Sequence, residues 1–556
     1  MLLCFFSFAM PRAKSCHPIS IPMVLIGILC LSPSLVVSNP NPLPLQFSKF
    51  SRASTKNGHT TKNPKEIFDH SIQLSFQQAQ HAQAIASNLS LSYGKAHETH
   101  FLVGDGGGMG DCIELLDDTL DLLSNVISHK NNHLQALDDD DDDVQTWLSA
   151  ALTNQETCSE SLGDDKSMLH KRVIDSMTQN LTKSIANSLE LYVSNVKGKD
   201  KMLNNPSGGG GGGGRRLLSG GTGDFPAWVS AAERELLEGS IGRIQVHAVV
   251  ARDGSGTHRT IGEAIVGSLA GEGRTVIQVK AGTYHENIKI PTKQKNVMLI
   301  GEGKGITVIV ASRSNEEGWT TFQSATVAAM GDGFMARDIT IVNSAGPAKH
   351  QAVALRVGSD KSVIFRCSIQ GYQDTLYTHS KRQFYRETDI YGTVDFIFGN
   401  SAVVLQNCNI YPRKPLSGQH NFVTAQGRIN ANQNTGISIH NSKIVAASDL
   451  AATKSRTTFL GRPWKQYSRT VIMQSFIDDS IHPSGWSPWS GSFALKTLYY
   501  GEYMNSGPGS GPSGRVGWSH PGMTLTEAQA FTVGGFIAGN LWLPSTGVAF
   551  DSGLIG

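Results

Sequence analysis

The stretch GYQDTLYTHSKRQFYRETDIYGTVDFIFG, residues 371–399, carries an aspartate in a glycine-bounded string twice, at Asp374 and 21 residues later at Asp395. In a chain that winds parallel strands over one another, one turn per twenty-odd residues, equivalent positions stack about 4.8 Å apart. Two carboxylates would then face each other. Gln351, in QAVAL, precedes Gln373 by 22 residues and keeps the same beat, so three turns could build one site. Asp and Gln beside Gly ordinarily mark turns. Like charges held close are costly, however, and a fold keeps them mainly where one is neutralised or where chemistry uses both.

Outward from this stretch, residues 246 to 556 read as short apolar runs divided by Gly, Asn and Asp: TVIQVKAG, NVMLIGEG, TVIVAS, GFMARDITIVNS, AVALRV, SVIFRCSI, VVLQNCNI, GISIHNSKIVA and TVIMQSFI. They repeat every 20 to 30 residues without long helices between them, which predicts an all-β parallel β-helix rather than an α/β barrel or a doubly wound sheet. Strand pattern alone also allows a β-sandwich, and the in-phase Gln and Asp residues favour the coil.

Residues 62–201 have a different character. Leu115, Leu116, Leu120, Leu123, Val126 and Ile127 recur at helical spacing, as do Val173, Ile174, Met177, Leu181, Ile185 and Leu189. These stripes predict the core of an all-α helix bundle. The six acids Asp138–Asp143 between them read as a solvated loop. Residues 202–245 form a linker containing seven consecutive glycines, Gly208 to Gly214, followed by Arg215, Arg216, Leu217 and Leu218. A dibasic pair on a flexible segment is a natural processing site, which calls for a protease as partner. Arg234-Glu235-Leu236-Leu237 is a weaker second candidate.

At the N-terminus, Arg12 and Lys14 precede an apolar run from Ile19 to Val37 that is interrupted by Pro22 and Pro33. Residues 1–38 therefore read as a signal peptide or signal anchor, with cleavage near Ser38 favoured, and place the protein outside the cell. Secretion permits disulfides. Three of the seven cysteines fall in the leader, leaving Cys112 and Cys158 in the helical region, expected to pair, and Cys367 and Cys408 in the β region. Sequons at Asn88 and Asn180 suit a secreted glycoprotein.

The net charge of +2 conceals an asymmetry: residues 219–556 carry 30 Lys and Arg against 24 Asp and Glu, leaving a net −4 for the first 218 residues. A cationic second half suits an anionic polymer, and a soluble basic enzyme equally well. Nothing calls for nucleic acid. No Cys or His cluster has metal-ligand spacing, so no metal or other cofactor is expected.

Five strings then occur in order: GTYHE (Gly282–Glu286), QAVAL (Gln351–Leu355), QDT (Gln373–Thr375), DFIFG (Asp395–Gly399) and LGRPW (Leu460–Trp464). Together they resemble the signature segments of the pectin methylesterases, over about residues 246–554. DDVQTWLSAALTNQETC (Asp142–Cys158) resembles the inhibitor-like pro-region of the longer plant forms, and Arg-Arg-Leu-Leu their processing motif. The resemblance implies an all-β right-handed parallel β-helix preceded by an all-α four-helix-bundle pro-domain, a cell-wall location and hydrolysis of galacturonate methyl esters in methyl-esterified homogalacturonan.

It also implies roles. Asp395 is expected to be the nucleophile, held charged and aimed by Arg462, whose rigid fork suits a carboxylate. Asp374, pressed against it, is expected to keep a proton for departing methanol. Gln351 and Gln373 supply amide donors for the oxyanion, a role worth on the order of 3 kcal/mol per donor. Thr321 and Trp464 match positions that contact the sugar, together with Gln351 and Arg462. Tyr284 and Glu286 read as structural.

Two departures from the family pattern stand out. Thr388 and Ser442 occupy positions where many relatives carry Cys, which leaves Cys367 and Cys408 as expected free thiols, and the pro-region lacks an early cysteine pair. A pectate lyase or polygalacturonase on the same fold would need other carboxylate sets. A catalytically silent pectin-binding or esterase-inhibitor protein, acting through the helical region, is the alternative of a different class. A proteinaceous pectinesterase inhibitor is a candidate partner.

Overall fold

The computed structural model describes residues 63–96, 107–132, 141–164, 168–195, 245–267 and 273–556. The leader, the glycine linker, Arg215–Leu218 and Arg234–Leu237 lie outside the described residues. No helix among the described residues is long and apolar enough to cross a membrane.

Four helices come first: α1 (Pro64–Ala96), α2 (Gly108–Asn132), α3 (Asp141–Ser161) and α4 (Met168–Asn195). Leu115, Leu116, Leu123 and Val126 of α2 and Ile174, Leu181, Ile185 and Leu189 of α4 are buried between them, as the stripes predict. Val173 is not: it is 38% exposed, because a neighbour of buried Ile174 is turned about 100° away on a helix. Cys112 and Cys158 form a disulfide that ties α2 to α3. Asn88 and Asn180 are exposed on α1 and α4.

The acidic run departs from expectation. Residues 141–143 already belong to α3, and the Asp143 carboxylate pairs with Arg382 and Lys361 of the β region. At least this end of the run is not a solvated loop.

From Ala248 onward the chain winds as a right-handed parallel β-helix of three sheets, with ten, eight and seven strands. One full coil illustrates the path: Arg382–Arg386 in the first sheet, Asp389–Gly392 in the second and Ile397–Gly399 in the third, before the next coil begins at Ala402. The corner between first and second sheets is turned by one residue with left-handed backbone: Asp338, Arg366, Glu387, Asn407, Asn441 and Gln474 in successive coils. Every strand pairs in parallel with its counterpart above and below, so apolar residues stack inward as continuous columns.

The residue after each left-handed corner points inward. Cys367, Thr388, Cys408, Ser442 and Ser475 occupy this position, and hydroxyls accept amide hydrogens from neighbouring coils: Cys367 N to Thr388 Oγ1 (3.4 Å), Cys408 N to Ser442 Oγ (3.0 Å) and Ser442 N to Ser475 Oγ (3.0 Å). Thr388 therefore stands one coil from each cysteine, and Cys367 and Cys408 are free and buried. Tyr284 hydrogen-bonds the carbonyls of Val250 and Lys280, while Glu286 accepts from the amides of Ile261 and Gly262 at the start of a short helix, α5 (Ile261–Gly267).

Candidate active site

The strand Leu376–Thr378 pairs with Ile397–Gly399 with Leu376 opposite Ile397, a register of 21 residues, which sets Asp374 and Asp395 at equivalent places just before the two strands. Both aspartates have left-handed backbone, with φ of 61° and 51°. Non-glycine residues adopt this conformation sparingly, and Asp is among the few side chains that tolerate it. The glutamines do not share the register. Leu355 lies opposite Leu376, so the same 21-residue step taken forward from Gln351 reaches Tyr372, and Gln373 is one residue further on. Both Gln351 and Gln373 are partly exposed.

Arg462 grips Asp395 with both arms: Nε to Oδ1 at 2.8 Å and Nη2 to Oδ2 at 2.6 Å. Its guanidinium lies between two aromatic faces, 4.0 Å from the centroid of Phe422 and 4.4 Å from that of Trp489. These rings hold the fork in one plane. Neither was foreseen from sequence, because Phe422 and Trp489 lie outside the recognisable strings and meet Arg462 only through coil stacking.

Burial raises the Asp374 pKa well above the ordinary carboxylate value, and the nearby charge of Asp395 raises it further against a smaller opposing pull from Arg462. For Asp395, burial also prevails, so its pKa lies above the ordinary value despite the fork. The expectation that Arg462 holds Asp395 charged is thus modified: at 7% exposure, desolvation outweighs the ion pair in setting its pKa.

The third sheet turns alternate side chains outward. Lys289, Ala328, Arg356, Tyr377, Phe398 and Ala425 stand opposite one another in successive strands and form one straight outward rung. Tyr377 stacks on Phe398 at 4.3 Å, and Trp464 meets Phe398 edge-on at 5.9 Å. A Cβ on Gly427 would come within 2.9 Å of the Trp464 ring, so the indole lies flat only over a glycine. Thr321 is partly exposed, and its carbonyl accepts from Ser324 Oγ.

The helical bundle packs on this rung. Ala328, Tyr377, Phe398 and Ala425 belong to the same buried apolar cluster as Leu115, Leu148 and Cys158. Asp111, Glu114 and Asp118 share one face of α2 at spacings of three and four. Asp111 accepts from Thr320 Oγ1 (2.6 Å) and Gln323 Nε2 (2.7 Å), Glu114 pairs with Lys289 (2.7 Å) and Arg356 (3.6 Å), and Asp118 with Lys381 (3.1 Å). From α3, Thr157 Oγ1 lies 3.0 Å from His379 Nε2, and Glu156 and Glu160 flank Lys465, the neighbour of Trp464. Burial raises the pKa of Asp111 to about 6 even with its three hydrogen bonds, whereas Arg356 and Lys289 overcome burial at Glu114 and lower its pKa.

A pectinesterase family profile matches residues 247–540. The chain belongs to the pectinesterase family. Upstream of this pectinesterase domain, the plant invertase/pectin methylesterase inhibitor profile matches residues 47–191. The whole chain is 57% identical to the probable pectinesterase/pectinesterase inhibitor 35 of Arabidopsis thaliana over 99% of both chains, and 48% identical to pectinesterase 2 of Citrus sinensis over 93% of both. Among solved structures, the pectin methylesterase from carrot is 56% identical, with a TM-score of 0.54, over 56% of this chain and 98% of its own. The pectinesterase domain is a carboxylic ester hydrolase, and its substrate class is pectin. Among the described residues, no group of three or more His, Cys, Asp and Glu side chains is placed to hold a metal ion.

Proposed function

We propose that the protein hydrolyses galacturonate methyl esters through Asp395. One carboxylate oxygen attacks the ester carbonyl, and the oxyanion draws on the amides of Gln351 and Gln373. As the tetrahedral centre collapses, the bond to methoxide breaks and Asp374 delivers its proton, releasing methanol. Water then attacks the acyl-enzyme and gives its proton to Asp374, which frees galacturonate and restores Asp395. Trp464 offers an apolar face to a pyranose ring, and Thr321 is the second residue we assign to the sugar.

The observation that carries this reading is the two-armed grip of Arg462 on Asp395 beside a second carboxyl group, Asp374, whose pKa burial and the charge of Asp395 push well above the ordinary carboxylate value. The fork orients the nucleophile, and the neutral neighbour holds the proton that the leaving group requires.

The helical pro-domain is read as an inhibitor in cis. It packs on the outward rung of the third sheet, whose Tyr377 and Phe398 belong to the strands that directly follow the two aspartates. Cleavage after Arg215-Arg216 by a processing protease would let it leave, and an extracellular, cell-wall setting suits both steps. The test is methanol release from highly methylated pectin by the full chain, before and after cleavage at the linker. Release that begins on cleavage, is unaffected by chelator and is lost in Asp395→Ala fits the proposal. A folded, cleaved chain that binds pectin without releasing methanol would instead favour the silent binding or inhibitor reading.

A further inference from the structure

Away from the aspartate pair, the bundle, the corner between third and first sheets and the C-terminal helices border a partly open cavity of about 320 Å³. Three guanidinium groups line it, those of Arg382, Arg428 and Arg469, with the rings of Phe531 and Phe536 on one side. Arg382 is neutralised by Asp360 and Asp143. The other two have no carboxylate partner among the described residues. Arg428 donates only to backbone carbonyls, Nε to Gln433 O (3.0 Å), Nη1 to Tyr467 O (3.5 Å) and Nη2 to Ala431 O. Arg469 donates through Nε to Thr435 O (2.8 Å), and its guanidinium carbon lies 5.6 and 5.4 Å from the ring centroids of Phe531 and Phe536.

Two neighbouring cations without a counter-ion are costly inside a protein. Burial lowers the pKa of Arg428 to about 10 and that of Arg469 to about 9, where the charge of Arg428 adds to the effect. A guanidinium presents a planar fork suited to an oxyanion. The wall also carries side-chain amides that tie it to α3, where Asn434 Nδ2 donates to Thr146 Oγ1 (2.9 Å) and Gln145 Nε2 to Asn432 O (2.7 Å), and apolar residues, among them Val193 and Ile537.

We propose that this cavity is an anion-binding site, distinct from the catalytic cleft, in which Arg428 and Arg469 hold a carboxylate or a sulfate-like oxyanion. The anion supplies the missing counter-charge at the seam between the bundle and the coil. The size of the cavity admits either a small inorganic ion or one uronic acid. This site stands independently of the esterase mechanism.

The test is thermal unfolding of the full chain in sodium sulfate and sodium chloride at matched ionic strength, and in sodium galacturonate with galactose as the uncharged control. Sulfate or galacturonate should raise Tm by a few degrees in a saturable way, and Arg469→Gln should abolish that rise. Asn434→Asp, which builds a carboxylate into the same wall, should raise Tm in the absence of sulfate and remove the response to it. A rise with galacturonate that requires Arg469 assigns a sugar acid, and one with sulfate alone assigns an inorganic anion. Equal effects of sulfate and chloride without a galacturonate effect, or an undiminished response in Asn434→Asp, would overturn the proposal.

Discussion

Lys381 Nζ, on the pectinesterase coil, lies 3.1 Å from Asp118 Oδ1 of the helical bundle, and the two residues are 2% and 0% exposed. Asp332 approaches the same ammonium at 3.2 Å. The carboxylates raise the affinity of Lys381 for its proton against the effect of burial, so it is charged throughout the physiological range. A buried ion pair of this kind contributes little net stability, but leaving one partner alone costs about 3–5 kcal/mol.

Asp118→Lys should therefore loosen the bundle, since two buried ammonium groups would face each other. The uncleaved chain is expected to gain esterase activity, by a factor of at least about ten, because each 1.4 kcal/mol shifts the docking equilibrium tenfold. Methanol release by the intact variant checks this. Unchanged activity with a natively folded bundle would argue against cis inhibition.

Replacing Arg462 by Lys should keep the charge but lose the two-armed grip and the stacking between Phe422 and Trp489. We expect kcat of the cleaved enzyme to fall by about 10²–10³, with little change in KM. Trp464→Ala should act the other way, mainly raising KM. Steady-state kinetics on methylated pectin separates the two.

Asp374→Asn should stabilise the fold at neutral pH. The folded-state pKa of Asp374 is raised, so its contribution is fully present below about 4 and is lost as pH rises through the folded value. Asparagine does not titrate and avoids that loss. The Tm difference between variant and parent should be near zero at pH 4 and grow to a few degrees by pH 7.5, while esterase activity disappears. A difference that shrank with rising pH would contradict the assignment of a neutral Asp374.

Cys112→Ser with Cys158→Ser removes a cross-link spanning 46 residues. Loop-closure entropy sets the expected loss at about 4 kcal/mol, borne by the bundle. Denaturant unfolding followed by a probe on α2 should show it, while a probe in the coil should move little.

The coil and the aspartate pair were legible because a β-helix writes its geometry as a period: the 21-residue step between Asp374 and Asp395 is the register of the strands themselves. The same reasoning overreached for Gln351 and Gln373, whose step of 22 is one residue out of register. Phe422 and Trp489 were illegible because an aromatic residue beside no motif looks like core. Docking of the bundle was illegible too. Asp111, Glu114 and Asp118 follow helical spacing, yet their partners on the coil lie from 174 to 263 residues away along the chain, and nothing local marks a carboxylate as paired rather than solvated. Asp143 was misread for that reason.

The inward hydroxyls at Thr388, Ser442 and Ser475 act like dowels between planks. Each secures a coil to its neighbour by a backbone amide, with no help from the bundle or the C-terminal helices. Alignment is thus a property of adjacent coils rather than of the whole molecule. Lengthening or trimming the stack far from the three coils that hold the aspartates should leave their spacing untouched, which makes the cleft's length open to change by duplication while its chemistry is conserved.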